Sequence, residues 1–125
     1  MVDTTKAYSG FSVNDLEAAR KFYGDTLGMR VSDYHGMLKL HPSGDNEILV
    51  YSKPDHQPAT FTILNFEVDD INAAVDELSR QGIQFQRYPN FEADEKGIVR
   101  IGGPGGAIAW FTDPAGNVLS VVQTD

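Results

Sequence analysis

The chain contains no cysteine. That absence removes disulfide staples, thiolate zinc sites and cysteine nucleophiles together. Long apolar runs are also missing. No window approaches the roughly 18 residues of a membrane-spanning helix, and the opening stretch MVDTTKAYSG has no apolar segment of the kind that marks a secretory signal. A soluble, cytoplasmic protein is expected. Positive charge is scarce: 10 Lys and Arg stand against 18 Asp and Glu, giving a net charge of −8 and a pI near 4.7. Such a surface repels phosphate backbones and anionic lipid. No nucleic-acid partner and no membrane partner is expected, and neutral or cationic ligands are mildly favoured. Histidine occurs only three times and tryptophan once.

What is present suffices for one core. The chain has 125 residues, 41% of them hydrophobic, with seven Phe and five Tyr. That fits a single compact domain without staples. The string GFSVNDLEAA, residues 10–19, returns as NFEVDDINAA, residues 65–74. Phe11, Val13, Asp15, Ala18 and Ala19 meet Phe66, Val68, Asp70, Ala73 and Ala74, and Leu16 meets Ile71, always at a separation of 55 (66 minus 11). Six matches at one separation indicate an internal repeat, which fixes the architecture.

Each copy reads as a strand followed by a helix. In the first, Asn14 or Asp15 offers an N-cap oxygen, Leu16, Ala19, Tyr23 and Leu27 form an apolar stripe, and Gly28 closes the helix. In the second, Asp69 or Asp70 caps, Ile71, Ala74, Val75 and Leu78 form the stripe, and Gly82 stops it. The separation is now 54 (82 minus 28), so the second helix is one residue shorter. Strand-like runs follow: MRVSDYH, MLKLH and EILVYS in the first half, IQFQRY, IAWFTD and NVLSVVQ in the second. Glu47 to Val50 lie over Asn117 to Ser120 at a separation of 70 (120 minus 50). The sequence therefore predicts a single α+β domain over 1–125. It consists of two βαβββ modules in tandem, about residues 6–54 and 59–125, forming a curved mixed sheet around a concave cavity. One helix per module covers one sheet face, and the other face is left for a ligand.

FSVNDLEAARKFYGDTLGM, FEVDDINAAVDELSRQG and WFTDPAGNVLSVVQ together resemble the vicinal oxygen chelate superfamily. That group includes glyoxalase I, extradiol dioxygenases, and fosfomycin- and bleomycin-resistance proteins. The resemblance covers nearly the whole chain and implies the fold far more strongly than any one activity. Metal-dependent members place a ligand on the first and last strand of each module. Carried over position by position, these places fall at Tyr8, Val50, Ile63 and Ser120. Val and Ile have no donor atom, and a neutral Tyr or Ser is a poor ligand alone, so no metal and no cofactor is expected. A slip of one residue would bring in Glu47 or Glu67 but would turn those side chains to the other face.

Several residues have competing readings. His35 and His41 flank the Gly36 turn and read as polar strand ends, and His56, in KPDHQPA, reads as solvated. GGPGG precedes a strand and not a helix, so it reads as a flexible loop rather than a phosphate cradle. DPAGN reads as a tight hairpin. Glu92, Asp94 and Glu95 sit in a long insertion, either an exposed charged loop or a lid supplying a carboxylate. In AIAWFTD, the resemblance implies that Phe111 lies beneath a helix, and alternation then turns Trp110 to the concave face. There it forms either a pocket floor or a subunit interface.

The expected ligand-binding set is Tyr8, Ser12, Val50, Ile63, Asn65, Glu67, Trp110 and Ser120, with catalytic residues unassigned. Three functions compete: a metal-free binder of a small aromatic or cationic molecule, like the bleomycin-resistance proteins; a glyoxalase- or dioxygenase-like enzyme; and an interaction module without a ligand. A homodimer is expected, since two-module relatives commonly pair.

Overall fold

The structure, a computed structural model, describes residues 1–124. The chain forms two compact units, one spanning Met1–Pro58 and the other beginning at Ala59. In the first unit a short 3-10 turn, Thr4–Lys6, precedes β1 (Ser9–Val13) and α1 (Leu16–Arg20). Then come β2 (Arg30–Tyr34), β3 (Met37–His41) and β4 (Ile48–Ser52). The sheet order is β1-β4-β3-β2, with β1 parallel to β4 and the other pairs antiparallel. The second unit repeats this with β5 (Thr62–Glu67), α2 (Ile71–Arg80), β6 (Val99–Arg100), β7 (Ala107–Thr112) and β8 (Val118–Gln123), ordered β5-β8-β7-β6. The α+β fold of two tandem strand–helix–three-strand modules is the architecture expected from the repeat.

The caps explain where the helices begin. Asp15 accepts from the backbone N–H groups of Glu17 and Ala18, and Asp70 from that of Ala73. Gly28 and Gly82 follow the helices with φ of 73° and 90°, where a side chain would strain the backbone. The extra residue of the first helix has a visible consequence. After Arg20 the chain widens into a π-helical segment, Lys21–Thr26, in which Leu27 donates to the Phe22 carbonyl five residues back. One added residue between fixed ends is what a π-bulge accommodates.

Each helix buries its stripe on one sheet face. Ala19 and Tyr23 join Val13, Leu38, Leu40, Ile48 and Val50 in the first core. Ile71 and Val75 join Ala107, Ala109, Phe111, Leu119 and Val121 in the second. Phe111 is fully buried and meets Phe85 edge-on, ring centroids 5.6 Å apart.

Three features differ from expectation. First, IQFQRY forms no strand. Among the described residues its one ladder bridge is Gln86 to Trp110, whose carbonyl accepts from Gln86 N at 2.8 Å. Pro89, two residues past Arg87, has no N–H with which to extend a ladder, and the edge is taken by β6 instead.

Second, the register of the last strands is shifted by one. Phe11 pairs with Val50 and Phe66 with Val121, so the true separation is 71 (121 minus 50). Val50 is therefore a core residue, 0% exposed, while Leu49 and Tyr51 pair with Gly10 and Ser12 on the open face. The strand ILVYS carries bulky side chains on both parities, so pattern alone did not set its register. Third, a bulge between Thr62 and Leu64 takes Ile63 out of the ladder, leaving Thr62 in register with Val118.

Candidate functional site: an aromatic row on the second sheet

The face of the second sheet that turns away from α2 is built on one row of register partners. Asn65 on β5 pairs with Ser120 on β8, and Ser120 pairs with Trp110 on β7. Alternation sends all three away from the helix while Phe66, Val121, Ala109 and Phe111 point beneath it. Ser120 is buried, and its hydroxyl donates to Asn65 Oδ1 at 2.6 Å. The Trp110 indole N–H donates to Thr62 Oγ1 at 3.2 Å. Tyr88 meets the indole edge-on at 5.4 Å and 81°, and Phe91 lies against it at 5.1 Å and 47°. Phe91 remains 47% exposed. The result is a three-ring cluster with hydroxyl and amide groups in the adjoining columns. Glu67 stands two residues beyond Asn65, exposed, and accepts from Thr124 Oγ1 at 2.9 Å.

Of the expected site residues, the structure gathers Asn65, Trp110 and Ser120 in that row, with Glu67 at the strand's end. Ile63 is displaced by the bulge, and Val50 is in the other unit's core. Tyr8 precedes β1 and is 61% exposed, in a cleft with Lys6, Pro42, Asp45 and Glu47. Ser12 lies on the open face of the first sheet, its Oγ 2.6 Å from His56 Nδ1. His56 is thus half-buried against β1 rather than solvated. Among the described residues, no three His, Cys, Asp or Glu side chains gather as they would around a metal ion. The structure adds Thr62, Tyr88 and Phe91 to the site. The sequence signal for the last two was the pair of aromatics around the Pro-Asn turn of RYPNF. Their contact with Trp110 joins segments about twenty residues apart, which a strand-like run followed by a loop does not mark.

The insertion beside this cluster is pinned. Asp94 accepts from Lys96 N and Ile98 N at 2.9 Å each, Lys96 pairs with Asp76 of α2 at 3.0 Å, and Arg87 donates to the Glu95 carbonyl at 2.9 Å. Ile98 and Val99 enter the core at 2% and 5% exposure. Asp94 thus serves as a turn acceptor. Its carboxylate is committed to the loop's own backbone.

The comparisons with known proteins agree with this architecture. A crystal structure of TnmS3, an antibiotic binding protein from Streptomyces sp. CB03234, is 25% identical, with 96% of this chain and 97% of that one covered and a TM-score of 0.67. A glyoxalase family protein from Bacillus anthracis is 23% identical over the full length of both chains, with a TM-score of 0.69. The fosfomycin resistance protein FosX from Mesorhizobium loti shares the fold at 15% identity, TM-score 0.66, covering 100% of this chain and 95% of that one. No curated protein matches the chain significantly. The family profile spans residues 7–121, from just ahead of β1 to within β8, so it takes in both modules and the aromatic row. The chain belongs to the Glyoxalase/Bleomycin resistance protein/Dioxygenase superfamily.

Proposed function

We infer that the protein binds a small, planar organic molecule, neutral or cationic, on the open face of its second sheet, and that it does so without a metal ion. The observation that carries this reading is Trp110. Its half-buried indole stands on the sheet face turned away from α2, flanked by Tyr88 and Phe91, with the polar groups of Thr62, Asn65 and Ser120 close by. A rigid aromatic surface beside a few fixed polar groups is how proteins hold small organic ligands. The acidic net charge favours a cation over an anion. The antibiotic-binding neighbour supports binding over turnover. Metal independence is supported by the side chains at the positions the family uses: Val50 is buried among core residues, and Leu49, which takes its place in the corrected register, has no donor atom.

Trp110 is the only tryptophan, so its fluorescence reports on this face alone. Titration with planar cationic and neutral aromatic probes, such as ethidium and an anthraquinone, should change the emission and saturate at one probe per chain. If every probe leaves the emission unchanged to millimolar concentration, the reading fails. We further place the protein in the cytoplasm. The structure contributes only that no helix among the described residues is long and apolar enough to cross a membrane.

A further inference from the structure

The first unit carries a separate group of reactive side chains on the open face of its own sheet. In the β2–β3 hairpin Ser32 pairs with Lys39 and Arg30 with His41, so Ser32 and His41 are diagonal neighbours on one face. The Ser32 hydroxyl lies 2.7 Å from His41 Nε2. Glu47, one residue ahead of β4, presents Oε2 3.9 Å from Nδ1 of the same ring. Its other oxygen, Oε1, is 3.4 Å from Lys39 Nζ. Lys39 in turn sits over the Tyr34 ring, 3.9 Å from the centroid. The His41 side chain is only 9% exposed, whereas Ser32 remains half-buried and reachable.

We propose that Ser32, His41 and Glu47 form a nucleophilic site for acyl transfer, which takes small activated esters and uses Lys39 as its electrostatic partner. A hydroxyl becomes a nucleophile when a base lies within hydrogen-bond reach and a third group orients that base. The first relation is present at 2.7 Å, and Glu47 stands on the far side of the same ring at 3.9 Å. With the imidazole proton on Nδ1, facing Glu47, Nε2 accepts the Ser32 proton as Oγ bonds to the ester carbonyl carbon. The oxyanion that forms is stabilised by the Lys39 ammonium, carried on the residue opposite Ser32. The imidazolium then gives its proton to the leaving alkoxide as the acyl C–O bond breaks. Water attacks the acyl-serine, losing its proton to Nε2, and the acid departs as Ser32 regains its hydrogen. The sum is ester plus water to acid plus alcohol, with no cofactor. Glu47 is a positioning residue. Its contact to Nδ1 must shorten by about 1 Å to become a hydrogen bond, as such contacts do when substrate binds.

The experiment uses the whole chain. A fluorophosphonate should form one covalent adduct, mapped by peptide mass to Ser32. p-Nitrophenyl acetate should release p-nitrophenol at least tenfold faster than with the same concentration of free imidazole. Ser32→Ala should lose both. Glu47→Gln should lower kcat about tenfold with KM held. A serine–histidine pair that only satisfies two polar groups would show none of these changes. The proposal is overturned if the wild-type protein gives no adduct at Ser32, a result that depends on no variant folding. It is also overturned if Ser32→Ala hydrolyses the ester at the wild-type rate.

Discussion

Trp110 and Phe111 are neighbours in sequence and face opposite sides of β7. The difference sets two expectations that one pair of variants can separate. Phe111 is fully enclosed, so Phe111→Ala should cost about 3–5 kcal/mol and lower the urea midpoint sharply. Trp110 is only partly covered, so its truncation should cost less, roughly 1–2 kcal/mol, while weakening binding of an aromatic probe about tenfold or more. Calorimetry together with probe titration checks both. Equal losses of stability would place Trp110 with the core and remove the binding site with it. Alternation put Trp110 and Phe111 on opposite faces, and the family resemblance said which face meets the helix, since Ala107, Ala109 and Phe111 on one parity and Ile108, Trp110 and Thr112 on the other each include a large residue. For Val50 it was not legible, since its neighbours on both sides are also large and apolar. Only pairing with Phe11 decided which way Val50 points.

At the scale of elements, the helix starts and apolar stripes were readable, and the π-helical segment of the first helix was not. Of the two residues the sequence offered at each start, Asp15 and Asp70 are the caps, and Asp70→Ala should cost about 1 kcal/mol by leaving the Ala73 N–H without its acceptor. Chemical denaturation would show the shift, and a loss near zero would mean that another acceptor takes over. The one-residue difference between the helices was visible as a count, but its resolution into a π-helical segment required the fixed ends that packing supplies. The acidic insertion is a pinned segment. Gly97 there has a φ of 91°, and an added Cβ would sit 3.0 Å from Phe85 Cβ. Gly97→Ala should therefore destabilise by about 1–3 kcal/mol and open the 92–100 segment to limited proteolysis. If the variant resisted protease as well as the parent, the loop would be held chiefly by Ile98 and Val99. Composition suggested exposure because Glu92, Asp94 and Glu95 dominate it. The sequence did not show that Ile98 and Val99 turn inward, because that depends on the space beside Phe85.

For the whole molecule, two solution measurements follow from the proposed function. Purified protein should carry well under one zinc, nickel, manganese or iron per chain, and a chelator should leave its melting temperature unchanged. A stoichiometric metal would sink the metal-free reading. The chain should also sediment as a homodimer at micromolar concentration, since each four-stranded sheet ends in edge strands that a partner could cover. The interface should exceed about 1,000 Å² of total buried surface. A single monomeric species would exclude it.

Sequence by itself determined the two-module plan, the caps to within one residue, the helix stops and the alternation that sets Trp110 and Phe111 on opposite faces of β7. These depend on local chemistry and on periodicity, and both are written in neighbouring residues. Tertiary structure alone decided the register of β4 against β1, the bulge that replaces Ile63 with Thr62, and the replacement of the IQFQRY strand by Val99–Arg100. It also decided the meeting of Trp110 with Tyr88 and Phe91, and of Ser32 with His41 and Glu47. Each of these rests on hydrogen bonds or packing between separate segments, from neighbouring strands of a hairpin to strands about forty residues or more apart. A one-residue shift there exchanges every side chain's face while leaving the local pattern unchanged.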